Sequence, residues 1–179
     1  MCNYFSIGVE SRIGLGFDKK RTTSAFCNDL CYGWEGFKKL CCFCTSKTKK
    51  IRDVIDFVST KDIESGNERI IFATDKSIPS EHYLHGNPVS FVVSNINSMM
   101  GGKAKFWESG KGKDMGIADP DGRVRQLSHF NFKEEVAHDD DHLEFDTVSS
   151  IIHLLFGKGR RIAQEKGPFT IHFKKGKGC

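Results

Sequence analysis

Short runs of strand-forming residues, each closed by glycine, proline, asparagine or aspartate, recur along this chain and limit its fold more than any other feature. Tyr4–Val9 is the first and alternates loosely. Ile51–Val58, Arg69–Thr74, Val89–Ser94 and Arg123–Leu127 follow, the last of them after the turn Asp119-Pro120-Asp121-Gly122. Leu143–Val148 and Phe169–Phe173 complete the set. β-Branched and aromatic residues at alternate positions suit a pleated surface. No regular succession of strand, long helix and strand is visible, which argues against a doubly wound parallel sheet. The pattern predicts a mainly β domain of the α+β class, most simply two sheets packed face to face as a β-sandwich, with a few short helices. One helix is expected from a Thr22 or Thr23 cap to Cys31. Tyr32-Gly33-Trp34-Glu35-Gly36 would interrupt it before a short helix through Lys39 and Leu40. Another is expected over Ile151–Phe156, capped by Ser149 and ended by Gly157.

At 179 residues the chain suffices for one domain with a substantial core, or for one large lobe of a bigger protein. Fifteen Phe against two Trp and three Tyr make that core phenylalanine-rich. A formal net charge of +4 falls short of the basic excess of a dedicated nucleic-acid binder, so no nucleic acid is expected as partner. No apolar run approaches the roughly 18 to 20 residues of a membrane span. The first residues lack the basic and apolar succession of a signal peptide.

Seven cysteines are present, and five of them fall between Cys27 and Cys44. Their odd number and close spacing fit reduced thiols of a cytoplasmic protein better than a secreted disulfide framework. Zinc is an alternative, although C-x3-C followed by C-C-x-C lacks the CxxC pairs of zinc modules. From Lys38 to Arg52 there are six basic residues and no acid, interleaved with Leu40, Cys41, Cys42, Phe43 and Cys44. Such a stretch is a solvated basic loop, or it rests on an anionic membrane surface as a peripheral contact through Lys47, Lys49 and Lys50. Acylation of its cysteines would strengthen such a contact.

Asp139, Asp140 and Asp141 stand together before the run His142-Leu143-Glu144-Phe145. Adjacent carboxylates repel, so they call for open solvent or a compensating cation. Mg²⁺, which prefers oxygen ligands, would supply one. Further on, Gly157 to Arg161 could touch phosphates or lipid headgroups, with Arg160 or Arg161 forking onto two oxygens. Neither GxxxxGK[ST] nor GxGxxG after a strand occurs, and no serine or cysteine sits in a nucleophile elbow. His82 and His85 read as loop residues. His142 and His153 read as satisfied structural histidines.

Taken in order, several segments resemble the accessory domain of diacylglycerol kinases. Asn3-Tyr4-Phe5-Ser6-Ile7-Gly8-Val9 is similar to its opening NYFSIGVDA, and Gly16-Phe17 followed by Arg21 is similar to xFHxxR. LCYGWEG, Leu30 to Gly36, resembles xWYGxxG. NINSMMGG, Asn95 to Gly102, with Trp107 resembles NIPSYAGG…W. DDHLEF, Asp140 to Phe145, with RIAQ, Arg161 to Gln164, resembles DGLLEV…RIAQ.

The resemblance spans about positions 3 to 173 and implies a β-sandwich lobe of an ATP- and Mg²⁺-dependent enzyme. That enzyme phosphorylates diacylglycerol to phosphatidic acid in lipid signalling. It implies a structural Mg²⁺ on Asp140, with the backbone carbonyls of Ala137 and His142. It also implies an upstream catalytic lobe of the same polypeptide as partner, with the nucleotide bound there. The GGDGT segment of that lobe and a later DGE segment with the general base are not in the sequence. Residues 1–179 are therefore expected to be the accessory domain, inactive alone and carrying no catalytic residue. Glu10 stands where the family has aspartate, Asn97 where proline is usual, and Asp141 where glycine follows Asp140. If that last position needs φ > 0, Asp tolerates it better than most residues. A lobe of a related sphingoid-lipid kinase, or a non-catalytic membrane or protein interaction module, are the competing readings.

Overall fold

The computed structural model describes residues 4–41, 49–62, 65–96, 105–132 and 140–175, with only the backbone of residues 39–41. Two mostly antiparallel sheets form, as the alternating runs require. The first has the order β1-β5-β8-β9, from Tyr4–Gly8, Ser90–Ser94, His142–Val148 and Arg160–Lys166. The second has the order β10-β2-β3-β4-β6-β7. Its strands are Phe169–Phe173, Ile55–Lys61, Glu68–Ala73, Tyr83–Leu84, Asp114–Ala118 and Val124–Gln126. Among the described residues, only β3 and β4 pair in parallel. The domain is therefore mainly β with added helices, in the α+β class.

Alternation along the strands separates two cores. Phe91, Val93, Phe145 and Ile162 of the four-stranded sheet meet Ile55, Val58, Phe72, Met115 and Ile117 of the six-stranded one. Phenylalanines dominate the contact. The rings of Phe72 and Phe91 meet edge to face at 5.6 Å, and those of Phe145 and Phe169 at 5.2 Å. The other face of the four-stranded sheet lies under α1 (Val9–Asp18) and α5 (Ile151–Leu155), with Val9, Ile13, Val92, Val148, Ile151 and Leu154 between them. Two further short helices, α3 (Ile51–Val54) and α4 (Phe106–Ser109), stand at the edges.

Several expectations need correction. Val9–Asp18, punctuated in the sequence by Gly14 and Gly16, is a helix. It starts where Gly8, at φ 117, turns the chain sharply out of β1, and a Cβ there would lie 2.2 Å from the Val89 carbonyl oxygen. The helix expected to break at Tyr32–Gly36 instead runs unbroken as α2, Ala25–Cys41. Ser24, not Thr22 or Thr23, accepts from the Cys27 N–H at its start. Gly36 is tolerated because α2 crosses α5 and α1 there. A Cβ at Gly36 would stand 3.0 Å from Leu155 Cδ2. Ile51–Val54 is a helical turn and not the start of a strand. Ser150, one residue beyond the expected cap, accepts from the His153 N–H at 3.2 Å, and Gly157 does end that helix with φ 61. Asp114–Ala118 and Arg160–Lys166 are strands that alternation did not mark.

Candidate functional site

Strand register places two rows of side chains across the helix-covered face of the four-stranded sheet. Tyr4, Ser94, Glu144 and Gln164 form one row. Ser6, Val92, Asp146 and Arg161 form the next. With strands about 4.8 Å apart, each row spans some 14 Å. This face is more polar than a core usually is. Glu144 and Asp146 are fully buried and Arg161 is 2% exposed.

The Gln164 side-chain amide donates to Glu144 Oε1 at 2.9 Å, while Oε2 has no hydrogen-bond partner among the described residues. Burial raises the Glu144 carboxyl to about 7, against the opposing bond from Gln164. Neither carboxyl oxygen of Asp146 has a hydrogen-bond partner among the described residues. Burial pushes its pKa well above the ordinary aspartate range, although the Arg161 charge pulls the other way. Arg161 donates from Nε to the Trp107 carbonyl at 2.7 Å, and its guanidinium carbon sits 4.5 Å from the centre of the Trp107 ring.

At the far edge, Glu10 opens α1 under the same face. Ser6 donates its hydroxyl to Glu10 Oε2, and the Glu10 backbone N–H donates to Ser90 Oγ at 3.0 Å. Burial raises Glu10, and its charge adds to burial in raising Tyr4 and Tyr32. The Tyr32 hydroxyl has no hydrogen-bond partner among the described residues. The longer acid at position 10 is thus accommodated inside the domain.

The Asp140-Asp141-His142 turn leads into β8. Asp141 takes φ 60, the left-handed conformation in which aspartate is better tolerated than most residues. The His142 N–H donates to Asp140 Oδ1 at 3.0 Å, and His142 Nδ1 lies 2.6 Å from the Asp140 carbonyl oxygen. Beside the turn opens a groove of about 1030 Å³, with Lys61, Arg69, Asn95, Asp141, Gln164 and Lys166 among its lining residues. Ala137 and Asp139 lie outside the described residues. Among those described, no three His, Cys, Asp or Glu side chains come together as metal ligands. A hard cation here would therefore rest on Asp140 and backbone carbonyls, a donor set of oxygens that suits Mg²⁺.

The expected headgroup contacts scatter. Lys47 lies outside the described residues. Lys49 is exposed, and the Lys50 backbone N–H donates to Asp53 Oδ2 at 3.0 Å to begin α3. Arg52 turns inward and donates to the carbonyls of Gly86, Thr74 and Leu84. Arg160 is half-buried at the start of β9. Arg161 is a correction: its guanidinium is inside the domain, against Trp107, and is not available to a headgroup at the surface. Cys27 and Cys31 are free thiols on α2, whereas Cys2, Cys42, Cys44, Cys179 and the side chain of Cys41 are not described.

The family model for the diacylglycerol kinase accessory domain matches residues 1–177. The chain belongs to that family. Comparison with curated proteins and with solved structures gives no match. Seen in three dimensions, the segments that carry the family resemblance converge. The described ones lie in β1, α1, α2, α4, β8 and β9, with Asn95 directly after β5, that is, in the four-stranded sheet and the helices around it. Phe17 and Tyr32, from two of these segments, meet edge to face at 5.6 Å. Glu144 and Gln164 join two others across the β8–β9 ladder, and Asp146, directly after one of them, stands opposite Arg161. The six-stranded sheet contains none of them. Sequence reasoning passed over Glu144, Asp146 and Tyr32 as functional candidates. Glu144 and Tyr32 had only membership of those segments as a signal and Asp146 had none, because acids at alternate strand positions read as a solvated face. No helix among the described residues is long and apolar enough to cross a membrane.

Proposed function

We propose that this domain is the accessory lobe of an ATP-dependent diacylglycerol kinase, and that it completes the acceptor-lipid side of a cleft whose nucleotide side is built by a separate lobe. The observation that carries this reading is the convergence of the family segments on the four-stranded sheet and the helices around it. The helix-covered side of that sheet holds the buried carboxyls of Glu10, Glu144 and Asp146. The sequence has neither a phosphate-binding glycine loop nor a GGDGT segment. Phosphoryl transfer depends on positioning and charge stabilisation around the nucleotide, so this lobe does not provide it alone.

In this reading Asp140, with the carbonyls of Ala137 and His142, would hold a structural Mg²⁺. Such an ion would pin the turn that feeds β8, and the groove beside it would be where the lobes approach. Lys47, Lys49, Lys50 and Arg160 would face lipid headgroups. The enzyme would act in the cytoplasm, peripherally on membranes, producing phosphatidic acid for signalling.

The test is phosphate transfer from ATP, with diacylglycerol and sphingosine offered in parallel. The chain alone should give no product. Together with the nucleotide-binding lobe of its own polypeptide it should yield phosphatidic acid. Turnover by the chain alone, or preference for sphingosine in the reconstituted pair, would overturn the reading.

A further inference from the structure

α2 presents its apolar side to the outside. Phe26, Leu30, Trp34 and Phe37 follow one another at spacings of four, four and three residues, so they share one stripe at about 100° per residue. All four are exposed, from 51% at Phe37 to 71% at Phe26. The side of α2 that packs on the domain is the opposite one, through Tyr32, Glu35 and Gly36, whose helical angles centre roughly half a turn away from the stripe. Trp34 and Phe37 stack on each other with ring centres 5.8 Å apart. α5 meets α2 where Leu155 lies against Gly36, and it adds the exposed Ile152 and Phe156. An amphipathic helix normally buries its apolar face against its own domain. Here the buried face is the smaller and more polar one.

Charge points to what covers the stripe. From Arg12 to Lys38 the chain has five basic residues, Arg12, Lys19, Lys20, Arg21 and Lys38, against three acids. One of the acids, Glu35, is turned inward and held by Lys20 at 2.7 Å and Lys38 at 2.5 Å. Lys158 Nζ lies 5.9 Å from the centre of the exposed Phe156 ring. Exposed aromatic and leucine side chains in a region with an excess of lysine and arginine, and with Lys158 beside the exposed Phe156, match an interfacial helix. Its rings enter the acyl boundary while its cations meet anionic headgroups.

We propose that the α2–α5 ridge is a membrane-docking surface for an anionic bilayer. This rests on the lipid-kinase reading, and it deepens that reading by moving the principal contact from the basic stretch that follows α2 in the sequence to the aromatic stripe on α2 itself. The ridge would seat the domain on the leaflet that contains the acceptor lipid.

The sequence contains two tryptophans, and they make a built-in reporter, since Trp34 is 57% exposed and Trp107 only 2%. The protein is mixed with vesicles of phosphatidylcholine and phosphatidylserine that contain no diacylglycerol, and with phosphatidylcholine vesicles alone. Expected are co-sedimentation with the anionic vesicles, a blue shift of Trp34 emission, and its quenching by brominated acyl chains. Leu30→Ser with Phe37→Ser should weaken partitioning at least about tenfold without changing the thermal unfolding midpoint, because both residues are exposed.

The idea falls if wild-type Trp34 is not quenched by the lipid. It falls if the double variant binds as the wild type does, or if only Lys47→Ala, Lys49→Ala and Lys50→Ala abolish binding. It also falls if the wild type is a dimer that the double variant dissolves, for then a second copy covers the ridge. Vesicle binding without diacylglycerol phosphorylation by the reconstituted pair would retain the surface and discard the kinase reading. Phosphorylation in detergent micelles without vesicle binding would do the reverse.

Discussion

The two faces of the four-stranded sheet follow different rules. Toward the six-stranded sheet it offers Phe91, Val93, Phe145 and Ile162 to an aromatic core. Toward the helices it offers Glu144, Asp146 and Arg161, mixed with Val92 and Val148. One strand, β8, supplies both by alternation. The first face maximises buried apolar area, the second retains groups that resist burial. The described family segments contribute to both, with Phe145 and Ile162 on the first and Glu144 and Arg161 on the second. Alternation thus lets one strand serve an aromatic core and a buried polar row at once.

The largest expected effect lies on the aromatic side. Phe145→Ala removes a fully buried ring that contacts Phe91 and Phe169. It should cost about 3–5 kcal/mol in denaturant unfolding. If it costs less than the substitutions on the polar face, the contrast is wrong.

Arg161→Met comes next. It removes the hydrogen bond and ring contact with Trp107, and the charge that opposes the raised pKa of Asp146, for a loss of about 2 kcal/mol. Pairing it with Asp146→Asn should recover part of that loss. Additive losses in the double variant would show that the two residues do not act as a pair.

A smaller effect is readable by pH. The folded Glu144 carboxyl titrates near 7, above the ordinary 4.5, so the folded state retains a proton that the unfolded state has released. Stability should therefore fall as pH rises from about 4.5 to 7 and then level off. Glu144→Gln should flatten this slope and gain on the order of 1 kcal/mol at pH 8. Parallel unfolding curves at pH 5 and pH 8 decide it, and an unchanged slope in the variant would remove Glu144 as its source.

The smallest effect has the opposite sign. Lys20 and Lys38 hold the Glu35 carboxyl down at about 2. Its contribution is complete above the ordinary carboxyl value and is lost as pH falls through about 2. Glu35→Gln should thus lower the thermal midpoint slightly at neutral pH and converge with the wild type in strong acid. A midpoint difference that grows with acid would contradict the assignment.

The strands were legible where period-two alternation met turn residues, as at Tyr4–Gly8, Ser90–Ser94 and Phe169–Phe173. β9 was not, because Arg160–Lys166 contains few apolar residues and its arginine reads as surface. α1 and α2 were obscured by Gly16 and Gly36. Both glycines look like breaks locally, but they are the places where helices approach closely, Gly16 against the Glu35 carboxylate and Gly36 against Leu155. The turn at Asp141 could be anticipated from the family pattern and takes the backbone conformation that pattern requires.

By itself the sequence determined that this chain is a mainly β domain of the diacylglycerol kinase accessory family, through local alternation, turn chemistry and ordered motifs. Only the tertiary structure decided which polar residues are buried and which apolar residues are bare. Glu144 and Asp146 occupy strand positions that a solvated face would equally allow, while Phe26, Leu30, Trp34 and Phe37 occupy helix positions that a core would equally allow. Burial depends on what covers a face, and that covering is supplied by segments far away along the chain.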